Sequence, residues 1–157
     1  MKVITLTAPW SWLAAARLKE FETRGWQTAY RGLLGIHTAQ SLIPVGGPAW
    51  LLAFCARPWF REAMIAIGIT DPLAEPRGCI IAVCNLAEIV PTRQIRGELE
   101  AMEIAFGDYS DGRYAWRLTG MNRLRTPITV RGAQGLWNWG DYAPPATARP
   151  ELIGARP

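Results

Sequence analysis

The chain has few of the side chains that bind metals or form disulfides. It contains one histidine, His37, and three cysteines, Cys55, Cys79 and Cys84, an odd number without the paired spacing of zinc sites. We therefore expect no metal site, and we expect the cysteines to be buried free thiols in a reducing compartment. His37 ends an apolar run and is expected to be a hydrogen-bonded core residue.

Long uninterrupted apolar runs are also missing. The apolar stretch after Lys2 is too short for a signal peptide. The apolar segment 49–69 is broken by Arg57, Pro58, Arg61 and Glu62, so it cannot span a bilayer. No glycine loop of the phosphate-cradling type is present. These absences predict a cytoplasmic protein without membrane contact and without a bound cofactor.

Positive charge is present, and arginine carries almost all of it. The net charge is +4, and Lys2 and Lys19 are the only lysines among 17 cationic residues. Arginine favours planar, bidentate recognition of phosphate or carboxylate groups, although a GC-rich genome would explain the same composition. The eight tryptophans are many for 157 residues. Those that are exposed would offer stacking platforms for nucleic acid bases.

The hydrophobic patterns predict one domain over residues 1–142, followed by a loose tail rich in proline, alanine and arginine over residues 143–157. Several short strands and a few helices, mostly in the first half, favour an α+β fold: a mixed β-barrel with helices packed against it. We predict strands at 3–6, 33–37, 79–87, 113–118 and 121–130, helices at 9–18, 49–55 and 58–67, a partly helical connection over 91–106, and a glycine-hinged turn over 132–139.

A compact charged cluster follows the first predicted helix. Lys19 and Glu22 would share a face if the segment were helical, whereas Glu22 and Arg24 would share one if it were extended. Thr23 and Trp26 favour the extended form. We therefore expect Lys19 at a turn, with Glu22 and Arg24 projecting together from a strand. A solvated surface patch of salt bridges is the alternative explanation of the same residues.

These segments, in this order, resemble an ASCH domain, a branch of the PUA-like β-barrel superfamily. The residues that carry the resemblance are Pro9-Trp10, Lys19-x-x-Glu22-x-Arg24, Tyr30-Arg31-Gly32, Ile36-His37, the strand from Cys79, Gly112 to Trp116, and Gly132 to Trp137. The family signature begins with a glycine two residues before the lysine. Arg17 occupies that position here, so the turn departs from the family pattern.

The resemblance implies a cleft between the barrel and the first helix, lined by the Lys/Glu/Arg signature, and a role near RNA. The residues expected to bind the ligand are Trp10, Lys19, Glu22, Arg24, Arg31, Tyr114 and Trp116. Trp10 and Trp12 cannot share one helical face, so one ring could lie in the core while the other forms the floor of the cleft. For Tyr114 and Trp116, which share a strand face, core packing is the favoured alternative.

Two functions compete at this cluster. The first is the binding of RNA, single-stranded nucleic acid or a modified nucleoside, with Arg24 clamping a phosphate or carbonyl edge. The second, implied by one branch of the family, is amide hydrolysis of acetylated cytidine, with Lys19 and Glu22 as catalytic residues. That branch carries threonine where Glu22 stands and uses a distal glutamate, for which Glu98, Glu100 and Glu103 are the candidates. A third hypothesis, protein interaction, assigns a role to the tryptophan-rich surface and the tail.

Overall fold

The computed structural model describes residues 1–140, which form one mixed six-stranded sheet with five helices. The strands are β1 (Lys2–Leu6), β2 (Phe21–Arg24), β3 (Gly32–Thr38), β4 (Cys79–Pro91), β5 (Tyr114–Thr129) and β6 (Leu136–Asn138). The helices are α1 (Trp10–Ala15), α2 (Gly47–Cys55), α3 (Pro58–Ala66), α4 (Thr92–Ile95) and α5 (Ala101–Ala105), and a 3-10 turn covers Ile43–Val45. The predicted tail, 143–157, lies outside the described residues.

The sheet order is β2-β5-β4-β3-β1-β6, with β1 and β3 parallel and the other neighbours antiparallel. β2 lies at one edge and β1 next to the other edge, yet the Arg24 guanidinium on β2 donates to the Thr5 carbonyl on β1 at 3.1 Å. The sheet therefore curls into a half-barrel, and this contact crosses its seam. The predicted α+β class, a mixed β-barrel with helices packed against it, is confirmed in the form of this half-barrel.

The second half of the chain contains more strand than its local patterns predict. Two runs, 113–118 and 121–130, form the single strand β5, and the predicted turn over 132–139 contains β6, which pairs with β1. Pro127 lies where the β4–β5 register jumps from Ile80↔Ile128 to Ala82↔Arg123. A proline has no N–H for a ladder hydrogen bond, so an irregularity of this kind is where a strand accommodates it.

Helix α1 and the concave side of the sheet enclose the main core. The core includes Trp12 and Leu13 from α1, Leu34 and Ile36 from β3, and Trp116 from β5. As predicted, the three cysteines are free and buried. Burial raises the pKa of the Cys55 thiol to about 11 and that of Cys84 to about 12. No helix within residues 1–140 has both the length and the apolar character needed to cross a bilayer.

Arg17 makes the turn between α1 and Lys19. Its φ of 61° lies in the left-handed region, which costs most residues other than glycine about 1–2 kcal/mol. Its Nε and Nη2 groups donate to the Met121 carbonyl on β5 at 3.0 and 2.6 Å. Arg17 thus forms a turn that favours glycine, and its side chain ties that turn to the sheet.

We predict that Arg17→Gly is more stable than Arg17→Ala by about 1 kcal/mol. Both variants lose the bonds to Met121, but alanine retains the backbone strain that glycine relieves. Urea unfolding of the three proteins measures the difference. Equal stabilities of the two variants would contradict a strained turn at this position.

Candidate functional site

A recess of about 390 Å³ lies beside the start of α1, between β1, β2 and the loop after α5. We call it the recess. Its lining comprises Thr5, Leu6, Thr7, Trp10, Lys19, Glu22, Thr23, Arg24, Phe54, Ala105, Phe106, Gly107, Asp108 and Arg113. Four residues predicted to bind the ligand, Trp10, Lys19, Glu22 and Arg24, therefore line one concavity. Segments distant in sequence form the rest of the wall.

Lys19, Glu22 and Arg24 form a line of alternating charges. The Glu22 carboxylate lies 3.3 Å from Lys19 Nζ through Oε2 and 3.1 Å from Arg24 Nε through Oε1. The Lys19 side chain is only 1% exposed and that of Glu22 11%. Two cations beside one carboxylate make its burial tolerable, because an unpaired buried charge is strongly unfavourable. The cluster is therefore not the solvated surface patch that was its alternative explanation.

The Lys19 ammonium is held as a hydrogen-bond donor. It donates to the Phe21 carbonyl and faces the Glu22 carboxylate. An ammonium group has three N–H groups, and these two acceptors use two of them. The third N–H has no acceptor among these contacts. In this arrangement Lys19 supplies a proton donor and a positive charge.

Aromatic rings form another part of the recess wall. Trp10 packs on Phe54 with ring centroids 5.2 Å apart, and Phe54 stacks on Trp50 at 4.6 Å. Phe60 then links Phe54 to Phe106. Trp12, two residues after Trp10, is buried in the core. The spacing of Trp10 and Trp12 had left open which ring lies in the core and which lines the cleft.

Asp108 and Arg113 also line the recess, and the sequence patterns did not identify either of them. The Asp108 carboxylate accepts hydrogen bonds from the Ser110 hydroxyl and N–H and faces Arg113, and these contacts lower its pKa. Arg113 also donates to the Thr23 carbonyl at 3.2 Å, and the Asp108 N–H donates to Thr23 Oγ1 at 3.1 Å. The turn-forming residues 107–112 predicted a loop here, but nothing in the sequence indicated that the loop reaches the recess.

The glutamates considered as distal partners lie outside the lining of the recess. Glu98 and Glu100 are exposed. Glu103 accepts hydrogen bonds from the N–H groups of Glu20 and Phe21 and from the Tyr109 hydroxyl. Its carboxylate thus secures the beginning of β2 against α5, and Asp108 is the distal acid that the fold brings to the recess.

Three predicted binding residues also lie away from the recess. Arg31 is exposed and donates to the carbonyls of Thr28 and Tyr30. Trp116 is completely buried, and its indole N–H donates to the Trp26 carbonyl. Tyr114 is half-buried against the main core. Trp116 therefore lies in the core, which agrees with core packing as the favoured alternative for this residue.

An open groove of about 830 Å³ meets the recess at Thr5 and Arg24, which line both. We call it the groove. Residues 129–135, between β5 and β6, form much of one side, and Trp26 and His37 line it too. Trp26 is 37% exposed and rests edge-on against Trp116 at 4.6 Å, which holds its ring in place. Sequence reasoning had not selected Trp26 as a binding residue.

His37 is 1% exposed, and its Nε2 lies 3.0 Å from the Val130 carbonyl. This contact confirms the hydrogen-bonded core role predicted for it. Gly132 lies so close that an added Cβ would come within 2.8 Å of His37 Nδ1. Burial lowers the pKa of His37, and the bond to Val130 only partly opposes that effect. The imidazole therefore favours its neutral form more strongly in the fold than in the unfolded chain.

No protein-family model matches the chain, and no curated protein matches it in sequence. The structure resembles ZmASCH. A crystal structure of a tyrosine-to-phenylalanine variant of this Zymomonas mobilis protein matches with a TM-score of 0.45 and 14% identity, over 82% of this chain and 74% of that chain. At this identity the likeness concerns the fold alone.

We predict that Glu22→Gln lowers the free energy of unfolding by about 3–5 kcal/mol, because it leaves the buried Lys19 ammonium without its counter-charge. Adding Lys19→Met to the same chain removes that ammonium, so the double variant should be more stable than Glu22→Gln alone. Chemical denaturation of the wild type, both single variants and the double variant gives the coupling energy. Strictly additive effects would argue against a buried ion pair.

We also predict a pH dependence that originates at His37. Because its folded pKa is lower than the unfolded value, the unfolded chain binds the proton more readily. The stability associated with the neutral imidazole is complete above an unfolded pKa of about 6.5 and is lost as the pH falls towards the lower folded pKa. Unfolding curves between about pH 7 and pH 5 measure this slope. His37→Gln should flatten it, and an unchanged slope in that variant would assign the effect to other groups.

Proposed function

We propose that this chain binds RNA or single-stranded nucleic acid, with one base or nucleotide in the recess and the adjoining strand in the groove. The observation that carries the proposal is the position of Arg24, where a recess of about 390 Å³ meets a groove of about 830 Å³. Both volumes lie in the range of ligand sites. A free nucleoside would need only the recess, whereas a polymer needs a path that leads out of it.

The charges of the recess favour an anionic ligand. Lys19, Arg24 and Arg113 are positive, and Glu22 and Asp108 are negative, which leaves an excess of one positive charge among the lining residues. In the groove Arg131 is exposed. Phosphate contacts of this kind supply most of the affinity for nucleic acid and make it depend on salt.

The aromatic residues favour bases as the uncharged part of the ligand. Trp10 presents a ring to the recess and packs against the rings of Phe54 and Trp50. Trp26 is exposed in the groove, with Trp116 beneath it. Base–aromatic stacking contributes about 1–3 kcal/mol per base and tolerates any sequence. Two platforms on either side of Arg24 suit a strand of at least two nucleotides.

Hydrolysis of acetylated cytidine is the alternative, and the contacts of Lys19 favour it less. A general base needs a free lone pair within reach of the proton that it takes. Lys19 instead faces two acceptors, the Phe21 carbonyl and the Glu22 carboxylate. The lysine is thus better suited to hold a carbonyl or phosphate oxygen than to activate water.

The test is a fluorescence-anisotropy titration with a labelled single-stranded RNA of about twelve nucleotides, within the span of known single-strand sites. We expect saturable binding that weakens strongly between about 50 and 200 mM salt. Arg24→Gln should weaken it, whereas Arg61→Gln, which removes an equal charge from an exposed position on α3, should not. Trp26→Ala should weaken the oligonucleotide more than a mononucleotide, by about 1–3 kcal/mol for one lost stack.

Thermal melting of each variant separates lost binding from lost folding, which matters for Arg24 because it also crosses the seam. Binding that does not saturate, or equal losses in the Arg24 and Arg61 variants, would overturn the proposal. Release of cytidine from acetylcytidine by the wild type, abolished by Lys19→Met, would instead favour the hydrolytic alternative.

A further inference from the structure

A second cavity, of about 340 Å³, lies on the other side of α1 and is more enclosed than the recess. Most of its wall is apolar, contributed by Ala15, Ile67, Ile69, Pro76, Ile81, Leu124 and Pro127. Trp12, Glu75, Arg123 and Arg125 complete it. It shares no lining residue with the recess or the groove. A ligand in this cavity would therefore bind independently of nucleic acid.

The Trp12 indole N–H is the unusual group in this cavity. Trp12 is 5% exposed, and its Nε1 has no hydrogen-bond acceptor within residues 1–140. An indole nitrogen can only donate, and buried donors are nearly always paired in native proteins. The nitrogen itself is shielded from solvent, but its ring lines the cavity, so a group bound there can supply the acceptor when a small shift of the wall uncovers the N–H.

The polar part of the cavity wall is mainly cationic. Arg123 and Arg125 are exposed on β5, and Glu75 is half-buried. These three residues have a net charge of +1. Among residues 1–140, no ion pair or hydrogen bond engages the Arg123 side chain. A negatively charged group in the cavity would therefore find both an indole donor and a guanidinium.

We propose that this cavity binds a small amphiphilic anion, an aliphatic or aromatic carboxylate. Its apolar body lies against Ile67, Ile69 and Ile81, and its carboxylate accepts from the Trp12 N–H and faces Arg123. A single water molecule on the Trp12 N–H would satisfy the donor but would leave the apolar wall and Arg123 without a function. The proposal is independent of the proposed nucleic acid binding.

The probe is octanoate, and the readout is the indole region of a ¹H–¹⁵N spectrum of the full chain. The Trp12 signal is assigned as the one that Trp12→Phe removes. We expect octanoate to shift this signal downfield in a saturable manner. Octylamine, which has the same chain length and the opposite charge, should not shift it. The signal of Trp26, in the groove, should stay in place.

Isothermal titration calorimetry of the variants separates the contributions of the two polar groups. Trp12→Phe keeps an aromatic ring, though a smaller one, but loses the donor, and it should weaken octanoate about tenfold, as expected for one hydrogen bond to a charged acceptor. Arg123→Gln, an exposed substitution that leaves the core intact, should weaken it about two- to fivefold. Arg61→Gln should have no effect.

The absence of a saturable shift of the Trp12 signal with millimolar octanoate would overturn the proposal and leave a water molecule as the partner of the indole. Equal binding of octylamine, or equal affinities of octanoate for the wild type and Arg123→Gln, would also overturn it. Those two results would mean that the cavity holds apolar chains without selecting an anion.

Discussion

The fold depends on the way that a buried carboxylate is neutralised at the seam of a curled sheet. Glu22 lies between Lys19 and Arg24, and Arg24 continues to the backbone of β1. Within residues 1–140 no ladder of backbone hydrogen bonds joins β2 to β1 or β6, so a side chain makes this connection. The residues that close the half-barrel therefore also line its recess, and fold and function place demands on the same charges.

Helix α1 separates two cavities of different chemical character. It has six residues, and Trp10 lines the charged recess while Trp12 lines the apolar cavity. Residues two apart on a helix differ by about 200° in direction, so a short helix can serve both sides only with such a spacing. The Arg17 turn then carries the chain directly to Lys19. Within ten residues, the sequence supplies one aromatic ring to each cavity, the turn and the first charge of the seam.

Local patterns predicted the elements whose neighbours in sequence decide their conformation. The strands β1 and β3 and the helices α2 and α3 follow from periodicity and proline positions, and Lys19 to Arg24 could be assigned to a turn and a strand. The remaining features arise from contacts across long sequence separations. β6 exists because Leu136 to Asn138 pair with β1, more than 130 residues earlier. Alternation along β5 places Tyr114 and Trp116 on one face, but only the curl of the sheet decides that this face is buried. The curl of the sheet also brings Asp108 and Arg113 to the recess, which local sequence cannot indicate.

The three thiols have a practical consequence for chemical labelling. Cysteine reacts as the thiolate, and burial raises the pKa of Cys55 to about 11 and that of Cys84 to about 12, so at neutral pH both are almost entirely in the unreactive thiol form. All three sulfur atoms are also shielded from solvent by the core. A single cysteine introduced on an exposed rim should therefore be the one that maleimides modify. Spectroscopic reporters could be attached beside either cavity without first removing the native cysteines.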